Sequence, residues 1–538
     1  ATRGGDGGEA QAQPKTRLAR LGPRIPVFGQ YTAFAFRRRQ HGRRLLFDTS
    51  ANNMLHAHRA HLAQRSALCS GWLRNPSSYL STAATSRKTL EVATPSDFKG
   101  GALKPSIDEG TLVKVVERKI SWKPLKTSSK LTFPVNNLFC QSNDPLQHTA
   151  DDIGKYFQLD GSTTAFSDVF YHTGFCGNGK EFERLRTAAI MVREPLLSMR
   201  DEVLGLHKNG GLNSTPGFII NGKQGYGKSY TLNYVIAACQ QADWLVVNIP
   251  RAYDWSLGLC AKSTQFPNEA YRVTDENYFK DIPAQIREDV SLSKLYESPI
   301  ASTNLLVSTY LSQKSKLEKI RLKDAERIAH YAPLAQDASA PTLADVLRSV
   351  TLDRDDGFTD FPIALRPVFD FLEELKAVTE MPVLVAIDGF NYWQHISNAK
   401  EWGTTVALHS QQMLVPKILG NIMQYGDSLQ NGVMLAGISL GGPSRPGLPR
   451  ALRSRWMPPI DWRKPVFEGK RESLGPLVRN VHAYTAHEVQ RCLEFYAFTG
   501  HLDNAGLQEQ LRTGELRRKI ALLCASAPAE LFKVCDLM

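Results

Sequence analysis

Gly222, Gly227, Lys228 and Ser229 stand at the spacing G-x-x-x-x-G-K-[ST], inside the stretch NGKQGYGKSYT at 221–231. That spacing suits a phosphate chain. Phosphate oxygens need several N–H donors aimed at one point, and glycine lets a backbone curl tightly enough to supply them. Gly222, Gly225 and Gly227 give that freedom, with Lys223, Gln224 and Tyr226 between them. In such a loop Lys228 reaches the β- and γ-phosphates and Ser229 Oγ ligates Mg²⁺, with Tyr230 next in the chain. The plain alternative is a glycine-rich turn with a surface lysine.

The loop works only between a strand and a helix. GFIIN at 217–221 is a short apolar run that ends at the first loop glycine. SYTLNYVIAACQQ at 229–241 puts Leu232, Val235, Ile236 and Cys239 at helical spacing. A helix N-terminus beneath the loop adds partial positive charge. Further on, PVLVAIDGFNYW at 382–393 is a continuous apolar run closed by Asp388. A buried parallel strand has that composition, and ligands collect at the carboxyl ends of such strands. Asp388 therefore reads as a Walker B carboxylate that holds Mg²⁺ through water. DWLVVNIP at 243–250 and GVMLAGISL at 432–440 are two more buried strands. Ser439 at the end of the latter is a candidate γ-phosphate sensor, or a plain strand-end serine.

These elements predict an α/β fold: a P-loop NTPase, AAA+-like parallel sheet with flanking helices. A helix is read through FERLRTAAIMVREPLLSMRDEV at 182–203. Residues 256–360 read as a largely helical insertion in a nucleotide-binding domain spanning 181–464. RPVFDFLEELKAV at 366–378 is amphipathic, with Val368, Phe371, Leu372, Leu375 and Val378 on one face. Residues 465–538 read as a small helical lid. There Thr485 and Glu488 form a capping box, Gly500 is a stop, and a second helix runs through 515–525.

The chain has 538 residues and a net charge of +12. Residues 1–90 hold 13 Arg and 2 Lys against Asp6, Glu9 and Asp48, an excess that equals the whole net charge. The rest is neutral. From Met54 to Leu90 there is no acid, and Arg, Ser and Ala are frequent. That is the composition of a mitochondrial transit peptide, with Met54 as the expected translation start. A basic RNA-binding arm is the alternative. Residues 1–95 are thus read as a targeting or disordered segment and 96–180 as an N-terminal extension. The eight cysteines are scattered with no C-x-x-C pair, which argues for reduced thiols and against a zinc site. HAHRAH at 56–61 lacks acidic partners and is not read as a metal site. No apolar run is long enough to span a bilayer, so no membrane partner is expected.

The segments AAIMVREP (188–195), GKQGYGKS (222–229), DWLVVNIP (243–250), AIDGFNYW (386–393) and VRNVHAYTAHEVQRCLEFY (478–496), in that order, carry a resemblance. The sequence resembles the death-associated protein three family, P-loop proteins of the mitochondrial small ribosomal subunit, over roughly 180–538. The resemblance implies an AAA+-like core and a mitochondrial matrix location. It also implies bound GTP or GDP with Mg²⁺, and a seat in the subunit head against rRNA and ribosomal proteins, near the intersubunit contacts. No stable homo-oligomer is expected. The residues themselves do not select guanine, because no N-K-x-D element occurs; ATP stays open.

Three functions compete. The first is a structural ribosomal protein that holds a nucleotide with little or no turnover. The second is an active AAA+ or signalling-type NTPase. Such enzymes usually carry Glu after the Walker B Asp, and here that position is Gly389, with Asn391 beyond it. The third is a free apoptosis-related adaptor, a role the resemblance also carries. The segment 444–464 gathers Arg445, Arg450, Arg453, Arg455, Arg463 and Lys464 around Trp456 and Trp462 against the single Asp461. Cations pair with phosphates and indoles stack on unpaired bases, so rRNA is a candidate partner. A neighbouring ribosomal protein, an arginine directed at the chain's own nucleotide, and a solvated loop are the other readings.

Overall fold

The computed structural model describes residues 137–536, with breaks at 160–166, 178–179, 186, 213–216, 254, 256–268, 277–278, 280, 336–339, 352–364, 395, 402–406, 426–428 and 440–475. The transit-like segment, the HAHRAH tract and the Arg/Trp segment 444–464 lie outside the described residues.

Five parallel strands form the central sheet: β1 (Gly217–Asn221), β2 (Leu245–Ile249), β3 (Val383–Asp388), β4 (Gly432–Gly437) and β5 (Leu477–Asn480). Their spatial order is β5-β1-β4-β3-β2. The chain runs from β1 to the far edge, returns through β3 and β4, and passes β1 to reach the other edge. One strand, β4, therefore separates the loop strand from the Asp388 strand, and both open onto the same end of the sheet.

Strands β1 to β4 are largely apolar because both of their faces are covered. Ile219, Val247, Val385, Ile387 and Met434 face one core; Phe218, Ile220, Val246, Leu384 and Leu435 face the other. The alternation follows from the two-residue period of a strand. On the second side pack α1 (Glu194–Lys208) and α2 (Lys228–Gln241). On the first side lie α3 (Pro299–Leu317), α4 (Leu365–Ala377) and α5 (Leu414–Tyr425). The expected apolar face of α4, Val368, Phe371, Leu372 and Leu375, is buried there.

One expectation needs correction. The stretch 182–203 is not one helix. A short helix, Lys180–Leu185, gives way to a strand, Ala189–Met191, before α1 begins. That strand pairs antiparallel with Tyr156–Gln158. Long-range pairing overrides the helix propensity of Ala-Ala-Ile-Met, and Pro195 in the first turn suits a fresh helix start. The described residues of 256–360 are mainly helical, with two short strands among them. Glu269–Arg272 and Tyr296–Glu297 join Ile396–Glu401 and Ala407–His409 in a small mixed sheet.

The stretch read as a lid contributes β5 to the sheet before its helices begin. These are α6 (Ala486–Phe498), α7 (Ala505–Arg512), α8 (Glu515–Cys524) and α9 (Pro528–Asp536). The capping box forms as expected: Thr485 Oγ1 accepts from Glu488 N–H at 3.2 Å, and the Glu488 carboxylate accepts from Thr485 N–H at 2.7 Å. The C-terminal helices share a core with Leu138, Tyr156, Ala189 and Met191. No described helix is long and apolar enough to cross a membrane. The six cysteines whose state is described are free thiols.

Candidate functional site

The glycine loop is built as its spacing requires. Gly222, Gly225 and Gly227 have φ of 148°, 78° and 97°, a region that L side chains rarely adopt. A Cβ at Gly222 would stand 2.6 Å from the Val481 carbonyl oxygen, and one at Gly225 would stand 2.7 Å from Ala529 Cβ. Gly227 is the N-cap of α2 and offers no side chain, so the first N–H groups of the helix face the loop. Lys223 and Gln224 are exposed at the loop's crest.

Lys228 turns back into the loop. Its Nζ donates to the carbonyls of Gly222 and Lys223, each at 2.8 Å. Burial pushes its pKa down to about 8, against the pull of the Asp388 charge. Ser229 Oγ donates to Asp388 Oδ2 at 2.7 Å, so residues 159 positions apart meet across the intervening strand. Burial raises the Asp388 carboxyl to about 6; the Ser229 hydrogen bond, the Lys228 charge and the amides of Gly177 and Gly389 oppose the rise.

The other expected residues divide. Tyr230 points away from the loop and donates to Glu181 Oε2 at 2.5 Å; Tyr496 of α6 donates to the other carboxylate oxygen, Oε1, at 3.2 Å. Tyr226 touches the site through its carbonyl, which accepts from Arg193 at 3.1 Å. The backbone of Ser439 is engaged on both sides: its N–H donates to Asn391 Oδ1 at 2.9 Å and its carbonyl accepts from Asn391 Nδ2 at 2.8 Å. Gly389, which stands where a hydrolase commonly has Glu, has φ 80°, and a Cβ there would lie 3.0 Å from Tyr392. Glycine is a backbone requirement at this turn.

Ser229 and Asp388 fit Mg²⁺. They are hard oxygen donors, and a buried carboxylate lacking a full counter-charge gains from a divalent cation. The left-handed glycines, the helix N-terminus and Lys228 fit the phosphates that such a cation accompanies. Ser229 and Asp388 would hold the cation, and the loop and Lys228 the anion.

The family model for mitochondrial ribosomal death-associated protein 3 matches residues 190–270 and 283–534, a span that includes the loop, Asp388 and the C-terminal helices. The chain belongs to that family. Among its relatives are two proteins called small ribosomal subunit protein mS29. The one from Bos taurus is 24% identical over 407 residues, covering 73% of this chain and 86% of the relative. The one from Mus musculus is 23% identical over 399 residues, covering 73% and 88%. The expected mitochondrial location stands with the family.

One residue beside the loop was not marked by spacing alone. Arg193 is buried between the loop and the C-terminal helices. Its Nε donates to Glu488 Oε1 at 2.8 Å, its Nη2 to the carbonyls of His482 and Ala483 at 2.9 and 3.1 Å, and its Nη1 to Tyr226. The guanidinium also lies over the Tyr484 ring, 4.6 Å from its centre. A second tie runs from α9, whose Ala529 N–H donates to the Gly225 carbonyl at 3.1 Å. The loop and the C-terminal helices are thus fastened at two points. A capping box at 485–488 was legible, but its Glu has a second partner 295 positions away, which no local pattern encodes.

Proposed function

We propose that this chain is a structural component of the mitochondrial small ribosomal subunit that holds a Mg²⁺–purine nucleotide in an AAA+-like P-loop core and turns it over little or not at all. The Ser229–Asp388 contact at the mouth of the glycine loop carries the nucleotide reading. It joins the two elements that Mg²⁺ and a phosphate chain need at one end of a parallel sheet. The ribosomal part rests on the family and on relatives named as small-subunit proteins. The guanine base rests on the resemblance alone. Subunit rRNA and neighbouring head proteins are the proposed partners.

Low turnover has its own support. Hydrolysis needs a positioned water and compensation for transition-state charge. After Asp388 the backbone is left-handed at Gly389, and the Asn391 carboxamide is spent on Ser439. Neither polarises a water. The rival NTPase reading predicts GTP or ATP hydrolysis by the isolated protein at about 1 s⁻¹ or faster, abolished by Asp388→Asn. We expect a rate far below that.

The ribosomal reading is tested by sedimentation of mitochondrial lysate. Co-migration with small subunits is expected; a homo-hexamer would favour the NTPase, and a free monomer the adaptor.

The raised carboxyl sets a pH dependence. Asp388 binds its proton more tightly in the fold than in the unfolded chain, so without cation its ionisation costs stability as pH rises from about 4 to about 6. Mg²⁺ competes with that proton. The Mg²⁺-dependent rise in melting temperature with GDP should be full at pH 7.5 and should fade below about pH 6. Asp388→Asn should melt no lower than wild type without ligand and lose the Mg²⁺ response. A Mg²⁺ response that is flat from pH 5 to 7.5 would contradict the assignment.

A further inference from the structure

The Ser229–Asp388 pair is covered by a piece of the chain that precedes the loop in sequence. Gly177 has φ 82°, and a Cβ there would lie 2.8 Å from Ser229 Cβ, 3.0 Å from Ser229 Oγ and 3.9 Å from Asp388 Oδ2. Its amide hydrogen-bonds the Asp388 carboxylate. The segment Thr173–Gly177 therefore runs over the place where the cation would sit.

Two buried carboxamides hold this strap. Asn233 lies on α2, one turn beyond Ser229. Its Oδ1 accepts from the Cys176 N–H at 2.9 Å and its Nδ2 donates to the Cys176 carbonyl at 3.2 Å. Asn248 lies on β2. Its Nδ2 donates to Thr173 Oγ1 at 2.6 Å and to the Gly174 carbonyl at 3.1 Å, and its Oδ1 accepts from Cys176 Sγ at 3.4 Å. Asn233 and Asn248 are 0% and 1% exposed. An amide so deep is costly unless its hydrogen bonds are made, and here they are made to the strap. Phe175 adds an apolar anchor, with its ring stacked 4.7 Å from Phe170. The strap is thus pinned to the helix that carries Ser229 and to the edge strand beside the Asp388 strand.

We propose that Thr173–Gly177 is a gate over the Mg²⁺ end of the nucleotide site, closed by the chain itself, with Asn233 and Asn248 as its positioning residues. This rests on the nucleotide reading above. Cation and nucleotide leave only as fast as the strap lifts, so a bound nucleotide exchanges slowly. Closure in cis also occupies the approach that a neighbouring copy would need to reach Ser229 and Asp388, which accords with a nucleotide held within one chain.

The test uses the full chain loaded with N-methylanthraniloyl-GDP and Mg²⁺, then chased with unlabelled GDP. Asn248→Leu keeps the branched side-chain shape, at somewhat larger volume, and removes three hydrogen bonds to the strap. It should release the label about tenfold faster, the scale expected when hydrogen bonds holding a closed state are lost. Association should change little, and with EDTA the two proteins should release alike. Unchanged release from a variant that melts within a few degrees of wild type overturns the gate. Amide exchange of wild type gives a second reading without mutation: the amides of 174–177 should slow about tenfold when Mg²⁺·GDP binds, and unchanged exchange in the loaded protein overturns the proposal. Failure of wild type to take up the labelled GDP at all is a different result, and it removes the nucleotide reading together with the gate.

Discussion

Arg193→Ala is expected to cost about 3–5 kcal/mol, the usual penalty for stranding one member of a buried ion pair. Arg193 and Glu488 side chains are 5% and 4% exposed, so neither charge is rescued by water once its partner is gone. Three backbone carbonyls, those of Tyr226, His482 and Ala483, lose a donor in the same change. The loss is a sizeable share of the ~5–15 kcal/mol that holds a domain folded. It should also be local. Amides of α6 to α9 should exchange earlier than those of the central sheet, because Arg193 is a main tie between them. Arg193→Met combined with Glu488→Leu should recover the part due to the stranded charge, but not the hydrogen bonds to the carbonyls of Tyr226, His482 and Ala483 or from the Thr485 N–H. The double variant should still lack the contact to Tyr226, and so bind nucleotide less well. Arg193→Ala melting within about 1 kcal/mol of wild type would contradict this role for the pair.

The second large effect depends on ligand. With Mg²⁺ and GDP at a free concentration ~1,000-fold above Kd, the fold should gain ~4 kcal/mol. Lys228→Ala should lose nearly all of that gain. Without ligand the same change should do far less, because a lysine whose pKa burial has pushed down to about 8 is held charged at some cost. The contrast separates a ligand-binding lysine from a merely packed one. A Lys228→Ala protein that loses equal stability with and without GDP would make Lys228 a packing residue. Ribosome incorporation of Lys228→Ala should fall with its stability.

The parts of this molecule that were legible in its sequence are the ones set by local rules. Apolar runs at 217–221, 245–249, 383–388 and 432–437 form strands because the sheet is covered on both faces. The glycines of the loop have left-handed backbones because no other residue takes them cheaply. The meeting of Ser229 with Asp388 was foreseeable from the ends of two parallel strands. Other features had no local signal. Ala189–Met191 has the composition of a helix and becomes a strand only because Tyr156–Gln158 comes to pair with it. β5 is short and half polar, Leu-Val-Arg-Asn, and belongs to the sheet by virtue of its place beside β1. Gly177, Asn233 and Asn248 are ordinary residues in sequence; their roles come from long-range contacts across α2 and β2. Gly389 was read as the loss of a catalytic acid. Its φ of 80° shows a positive reason for glycine, so substitution by Glu strains the turn and cannot serve as a simple restoration of activity.

The native protein is expected to carry a nucleotide held by this loop. The direct measurement is the nucleotide content of small ribosomal subunits purified from mitochondria under native conditions, then denatured and analysed by chromatography and mass spectrometry. Close to one guanine nucleotide per copy of this chain is expected, together with Mg²⁺, and its loss from subunits rebuilt with Lys228→Ala. Wild-type subunits that contain the folded chain in full amount, without a nucleotide that depends on Lys228, would contradict it.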